Sequence, residues 1–278
     1  MISAAMYRRT RARIVVLGLC ALGMASSACD LSFAGLSGRA TDEWTHSYPL
    51  APGGEVRLGN VNGAIEVDGV DGSTVEVRAE RIARAVTDQN ARELLSHLVI
   101  HEDAKPGRVT IETEKLSGIL LGASLEVRYH VSAPRGAKID LTNTNGRITV
   151  SEMTGRVVAH TTNGGITGKA LTGGVDARVT NGGVRIDLAA VSSDRVSLSA
   201  TNGGVTLTLP SAAKADVSAS CTNGGIRISG LTLEMSEQSR RRVEGRMNGG
   251  GTPIELRTTN GGVRIGARGE DVEGTHEF

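Results

Sequence analysis

A four-residue phrase, Thr-Asn-Gly-Gly, recurs through the second half of the chain, at Thr162–Gly165, Thr180–Gly183, Thr201–Gly204, Thr222–Gly225 and Thr259–Gly262. A variant, Thr144-Asn145-Gly146-Arg147, opens the series. The asparagines at 145, 163, 181, 202, 223 and 260 are spaced by 18, 18, 21, 21 and 37 residues. Such regularity constrains the chain to a repeat architecture, in which each copy buries its apolar face only against its neighbours.

Aligned on their asparagines, the copies share columns of one character. Six residues before stand Ile139, Val157, Val175, Val196, Val217 and Ile254, and four before stand Leu141, Ala159, Ala177, Leu198, Ala219 and Leu256. Three after stand Ile148, Ile166, Val184, Val205, Ile226 and Val263; five after, Gly168 is the one exception to an apolar column. Polar residues alternate with these columns on both sides of the turn. Period-two alternation makes each copy a strand, a tight turn and a second strand, with one face buried.

Asn-Gly supplies the left-handed backbone that a tight turn requires, because glycine lacks a Cβ and asparagine tolerates positive φ. Two topologies fit. One is an antiparallel stack of hairpins, for which Asn-Gly between alternating apolar residues is a strong signal. The other is a β-solenoid with two strands per copy, each copy stacked in register on the last. There the asparagines form an internal ladder, each amide bonding the next. Three features favour the solenoid: like residues recur in every column, a second turn recurs at Thr154-Gly155, Thr172-Gly173-Gly174 and Ser192-Ser193, and the inward side chains are small and branched. The calcium reading of Asn-Gly-Gly needs aspartates at fixed offsets, and here Ile or Val follows the glycines in the Gly-Gly copies.

The amino terminus reads as a targeting segment. Arg8, Arg9, Arg11 and Arg13 precede an apolar stretch from Ile14 to Met24, too short to span a membrane comfortably, and Ala25-Ser26-Ser27-Ala28-Cys29 follows. Small residues before a cysteine resemble a bacterial lipoprotein signal, in which Cys29 carries the lipid and residues 1–28 are removed. Ser26 replaces the usual aliphatic residue of that signal, so ordinary cleavage near Ala28, giving a secreted or periplasmic soluble protein, stands as the alternative. Removal of residues 1–28 takes four of the 31 Lys+Arg and none of the 30 Asp+Glu, leaving a formal charge of −3. No basic excess remains to hold a nucleic-acid backbone. Cys221 would then be the sole thiol besides Cys29, and its column, with Thr161, Val179, Ala200 and Thr258, makes it a core-edge residue.

Residues 29–43 follow as a lipidated cysteine and tether, 44–268 as the repeat domain and 269–278 as a polar tail. The stretch Leu58–Val67 reads as an early copy of the repeat. One helix is expected after a Thr87 cap, with Ala91, Leu94, Leu95 and Leu98 on one face, packing at the solenoid end or beside the first strands. Leu231–Met247 breaks the pattern and reads as a loop or short helix inserted into the last coil; its Arg240-Arg241-Arg242 is a candidate for anionic lipid or glycan, against the plainer reading of a solvated surface.

No catalytic constellation, phosphate-binding loop or Cys-x-x-Cys pair is present. His97 and His101 have the spacing of a metal pair but lack its accompanying glutamate, so neither metal ligands nor a cofactor site is assigned. Outward positions at equal offsets line up along a solenoid. The column four after each asparagine reads Thr149, Thr167, Arg185, Thr206, Arg227 and Arg264; that three before reads Thr142, His160, Arg178, Ser199, Ser220 and Arg257. A stripe of Arg185, Thr206, Arg227 and Arg264 is a candidate for an extended anionic or hydroxyl-rich polymer such as envelope glycan, against the plainer reading of a soluble β surface.

Asp140-Leu141-Thr142-Asn143-Thr144-Asn145-Gly146-Arg147-Ile148-Thr149-Val150, the Thr-Asn-Gly-Gly copies after it and the Gly-rich stretch before Ile254 resemble the bacterial putative-adhesin domain family. The resemblance covers residues 45–266 and implies an all-β, solenoid-like domain of unknown function on exported or envelope proteins. It brings no catalytic residues with it. The expectation is a non-enzymatic, lipid-anchored envelope protein, adhesin-like, whose solenoid binds or supports a glycan or protein partner. The rivals are a carbohydrate-active β-helix enzyme and an envelope-stress accessory protein.

Overall fold

The computed structural model describes residues 37–114 and 123–269. The chain opens with β1 (Gly38–Pro49), β2 (Glu55–Asn62), β3 (Ile65–Val70), β4 (Thr74–Ala85), α1 (Asp88–Ser96), β5 (Ile100–Lys105), β6 (Arg108–Thr113) and β7 (Ser124–Pro134). Strand pairs follow: β8 (Lys138–Asn145) with β9 (Ile148–Ser151), β10 (Val157–Asn163) with β11 (Ile166–Leu171), and β12 (Val175–Asn181) with β13 (Val184–Leu188). After β14 (Val196–Asn202) with β15 (Val205–Leu209) come β16 (Ala215–Asn223) with β17 (Ile226–Ser229). The hairpin β18 (Glu234–Gln238) and β19 (Arg242–Met247) leads into the last pair, β20 (Thr252–Asn260) with β21 (Val263–Ala267).

Each copy gives its first strand to one sheet and its second to the other. The first sheet runs β1-β4-β7-β3-β9-β11-β13-β15-β21-β17 and the second β18-β19-β16-β20-β14-β12-β10-β8-β2-β6-β5. Neighbouring copies pair in parallel with like opposite like: Val157 faces Val175, Ala159 faces Ala177 and Asn163 faces Asn181. The two strands of one copy do not pair, which excludes the hairpin stack. This is a two-sheet β-solenoid, whose core is the inward columns of Val, Ile, Leu and Ala from both sheets. Gly168, the gap in one column, is filled by Leu171: a Cβ on Gly168 would lie 2.7 Å from the Leu171 Cδ1. The chain reaches that packing through an irregular register between Gly168 and Leu171 and a positive φ at Ala170.

The coils do not stack in sequence order, contrary to the expectation that each copy follows the last. The β20/β21 coil lies between the β14/β15 coil and the β16/β17 coil, pairing with both. At the other end the β2/β3 coil lies between β6/β7 and β8/β9. The columns allow this because every coil presents the same faces to its neighbours. Leu231–Met247 is neither loop nor helix but largely the β18–β19 hairpin, β19 adding antiparallel to β16. Val243 and Met247 point inward while charged residues face out, an alternation obscured by the arginine run.

Helix α1 follows the Thr87 cap as expected but ends at Ser96, so Leu98 lies beyond it and packs in the main core. The Thr87 hydroxyl accepts from the Asn90 N–H at 3.2 Å, and Ala91 and Leu95 pack with Ala40, Ala83 and Ala85 beside β1 and β4. Strand β1 begins at Gly38, inside the stretch read as tether. The signal segment, Cys29 and residues 270–278 of the tail lie outside the described residues.

Candidate functional site

At the Thr-Asn-Gly-Gly corner, Asn145 donates to Asn62 (2.7 Å), Asn163 to Asn145 (2.7 Å), Asn181 to Asn163 (2.9 Å) and Asn202 to Asn181 (2.9 Å). Asn260 then donates to Asn202 and Asn223 to Asn260, each at 2.8 Å. The ladder exists, but its asparagines are exposed along the corner rather than internal. Nor do they take positive φ. The glycine after each does so alone, for instance Gly182 at φ 139° and Gly203 at φ 154°. Inside the corner, where side chains are buried, Asn143 donates to the Gly63 carbonyl (2.8 Å) and Thr258 to the Gly203 carbonyl (2.7 Å). Cys221 occupies the same column as Thr258 and is buried, as its alignment implied.

The outer face of the second sheet carries arginines that meet carboxylates. Arg57 Nε lies 3.2 Å from Asp140, Arg178 Nη2 3.1 Å from Asp176 and Arg257 Nη2 3.1 Å from Glu255, and Arg195 also bonds Glu255. Arg156, Asp176, Arg178, Ser199, Glu255 and Arg257 line a shallow depression of about 460 Å³ on this face. The column three before each asparagine thus runs Thr142, His160, Arg178, Ser199, Arg257, Ser220 in space.

The first sheet is different. Its column four after each asparagine runs Thr149, Thr167, Arg185, Thr206, Arg264, Arg227 in space. The out-of-order coil therefore sets Arg264 directly beside Arg227 and next to Thr206. All three arginines are exposed, and among the described residues none of them meets a carboxylate. The candidate residues Arg185, Thr206, Arg264 and Arg227 form one unbroken row.

A further cluster was missed by sequence reasoning. Trp44 stacks on His46 with ring centroids 4.3 Å apart, at the β1 edge. His46 Nδ1 lies 2.8 Å from a Glu102 oxygen, and the Tyr48 hydroxyl donates to the same carboxylate across to β5. The Tyr48 hydrogen bond leads in holding Glu102 below the usual carboxylate range, with His46 adding to it against burial. Burial, then Glu102, pushes the Tyr48 phenol well above its ordinary value. The signal for this cluster was the spacing of aromatic rings at 44, 46 and 48. His97 and His101 do not come together as a ligand pair: His97 closes α1, and His101 Nε2 lies 3.0 Å from Glu114. Among the described residues no group of three His, Cys, Asp or Glu is placed to hold a metal ion.

Parallel, like-on-like strand stacking in two sheets defines this protein as a β-solenoid. The model of the Toastrack DUF4097 family matches residues 54–266, and the chain belongs to that family. No curated protein matches it. Among solved structures it is similar to a putative cell adhesion protein from Clostridium sporogenes at 12% identity and TM-score 0.45, covering 82% of this chain and 100% of that one. It is also similar to a putative adhesin from Bacteroides fragilis at 10% identity and TM-score 0.29, covering 81% and 97%. A putative lipid binding protein from Parabacteroides distasonis matches at 10% identity and TM-score 0.27, covering 84% and 98%. No described helix is long and apolar enough to cross a membrane.

Proposed function

We propose that the chain is a non-enzymatic, exported protein of the cell envelope, lipid-anchored through Cys29, whose solenoid serves as an adhesin-like binding or structural scaffold. The observation that carries this reading is the distribution of chemistry over the fold. Outward side chains fall in columns one residue wide along two sheets, and the depression on the second sheet holds carboxylates tied to arginines. A β-helix hydrolase would instead use carboxylates poised as acid and base around a cleft. Asp176 and Glu255, the acids of that depression, are each paired with arginine, as suits a polar binding face.

The anchor reading rests on Arg8, Arg9, Arg11, Arg13, the apolar stretch that follows and the small residues ahead of Cys29. Cys29→Ser should release the protein from the membrane fraction and abolish labelling by a fatty-acid probe. Unchanged partitioning and labelling would remove the anchor from the proposal and leave a soluble exported scaffold.

A further inference from the structure

We infer that the row Arg185–Thr206–Arg264–Arg227 on the outer face of the first sheet binds an extended polymer bearing phosphate groups. The inference deepens the scaffold reading and rests on its binding face, not on the lipid anchor.

Arg227 and Arg264 are register partners on adjacent strands, with side chains on the same outer face. Neighbouring strands lie about 4.8 Å apart, and like charges placed directly opposite one another repel. Several other outward arginines meet a carboxylate, as with Arg178 on Asp176, Arg257 on Glu255 and Arg268 on Asp187. On this row none does, among the described residues. Thr206 separates Arg264 from Arg185, so positive charge extends over three strand spacings, about 14 Å. Beyond the last coil lie Arg240 and Arg241, both exposed, whose carbonyls accept from the Ile226 N–H of β17 and the Cys221 N–H of β16.

A second, independent feature lies along one flank. The second glycine of each phrase forms a strip free of side chains beside the row, at Gly183, Gly204, Gly262 and Gly225. The fold demands glycine there less than at the first glycine. None of these four has a positive φ, Arg147 occupies the equivalent place in the Asn145 coil, and a Cβ on Gly225 would meet nothing within 4 Å, whereas on Gly183, Gly204 and Gly262 it would lie 3.3 Å from the next coil's carbonyl oxygen. The strip leaves the guanidinium row open from the side along its whole length.

These features select the ligand. Guanidinium groups form paired hydrogen bonds with phosphate oxygens, and one phosphate can take a fork from Arg264 and another from Arg227. A neutral hydroxyl polymer would leave the paired charges uncompensated. A planar anionic bilayer would meet a row one side chain wide only along a line, with Asp187 on its other flank. An extended chain of phosphates lying along the stack meets every member of the row.

The test uses the purified full-length chain and long-chain inorganic polyphosphate, with affinity measured calorimetrically at low salt. The parent should bind, and the triple Arg185→Ser, Arg227→Ser, Arg264→Ser variant should bind at least tenfold more weakly. A double Arg178→Ser, Arg257→Ser variant on the opposite face should bind as the parent does. Gly225→Glu sets an acid beside Arg227 where space is open, and should weaken binding in a chain with unchanged circular dichroism. Orthophosphate should compete only at far higher concentration. Absence of parental binding, or equal loss in the opposite-face variant, would overturn the inference. So would binding to phosphatidylglycerol vesicles as tight as to polyphosphate, which would assign the row to a lipid surface. Each of these outcomes is independent of whether Cys29→Ser leaves the membrane.

Discussion

Asn260 donates its amide to Asn202 at 2.8 Å, although 58 residues separate them, and Asn223 in turn donates to Asn260. The last repeat is thus wedged between two earlier ones, and the ladder passes through it without a break. An in-register stack tolerates such insertion because each coil offers its neighbours the same columns: Val196, Ile254 and Val217 lie side by side, as do Leu198, Leu256 and Ala219.

The ladder's position sets its worth. Its amides are exposed, so each lost bond is exchanged for water, and a neutral hydrogen bond contributes only about 0.5–1.5 kcal/mol net. Asn202→Ala and Asn260→Ala each remove two ladder bonds and should cost about 1–2 kcal/mol in urea unfolding. Asn223→Ala removes one bond at the end of the ladder and should cost less. Equal losses at all three positions would show that the asparagines act through the local turn, not through the ladder.

The glycines of the phrase should separate cleanly. A Cβ on Gly203 would lie 1.9 Å from the Gly182 carbonyl oxygen, at a φ of 154° that disfavours any side chain. Gly203→Ala should therefore destabilise by about 3 kcal/mol or more, strain and clash acting together. Gly225→Ala, in open space, should stay within about 0.5 kcal/mol of the parent. Comparable melting curves for the two variants would contradict the corner geometry.

The columns, the turns, the helix after Thr87 and the ladder itself were all legible in the residues, because periodicity and like-on-like alignment are local properties. The spatial order of the coils was not. Identical columns make Val217 as good a neighbour for Val196 as Ile254 is, so nothing in the pattern says which follows which. The row of arginines was visible as a set, but the contact between Arg264 and Arg227 depends on that order. The β18–β19 hairpin escaped for a different reason: its inward positions, Val243, Gly245 and Met247, are too few to outweigh the charges between them. Positive φ was assigned to both Asn and Gly at the turn, whereas glycine alone takes it and leaves asparagine in the strand.

Alkaline pH should reveal Tyr129. It is fully buried, and its hydroxyl lies 2.8 Å from that of Thr113. Burial pushes its phenol up to about 12, against smaller opposing effects from Thr113 and Arg81. A folded-state value above the unfolded one, about 10, means the fold favours the protonated ring. That contribution is fully present below about pH 10 and is lost as pH rises through about 12. Urea unfolding across this window should show a fall in stability that Tyr129→Phe makes shallower. An equal fall in both chains would place the alkaline loss elsewhere.

The order of coils is tested most directly by disulfide trapping in a chain with its native cysteines replaced. Ser199 and Arg257 are register partners, whereas Ser199 and Ser220 lie two strand spacings apart, about 10 Å, beyond the reach of a disulfide. Cysteines introduced at 199 and 257 should cross-link on oxidation, and those at 199 and 220 should not. Efficient cross-linking of 199 to 220, with none between 199 and 257, would mean that the repeats stack in sequence order, and would contradict both the wedge and the arginine row built on it.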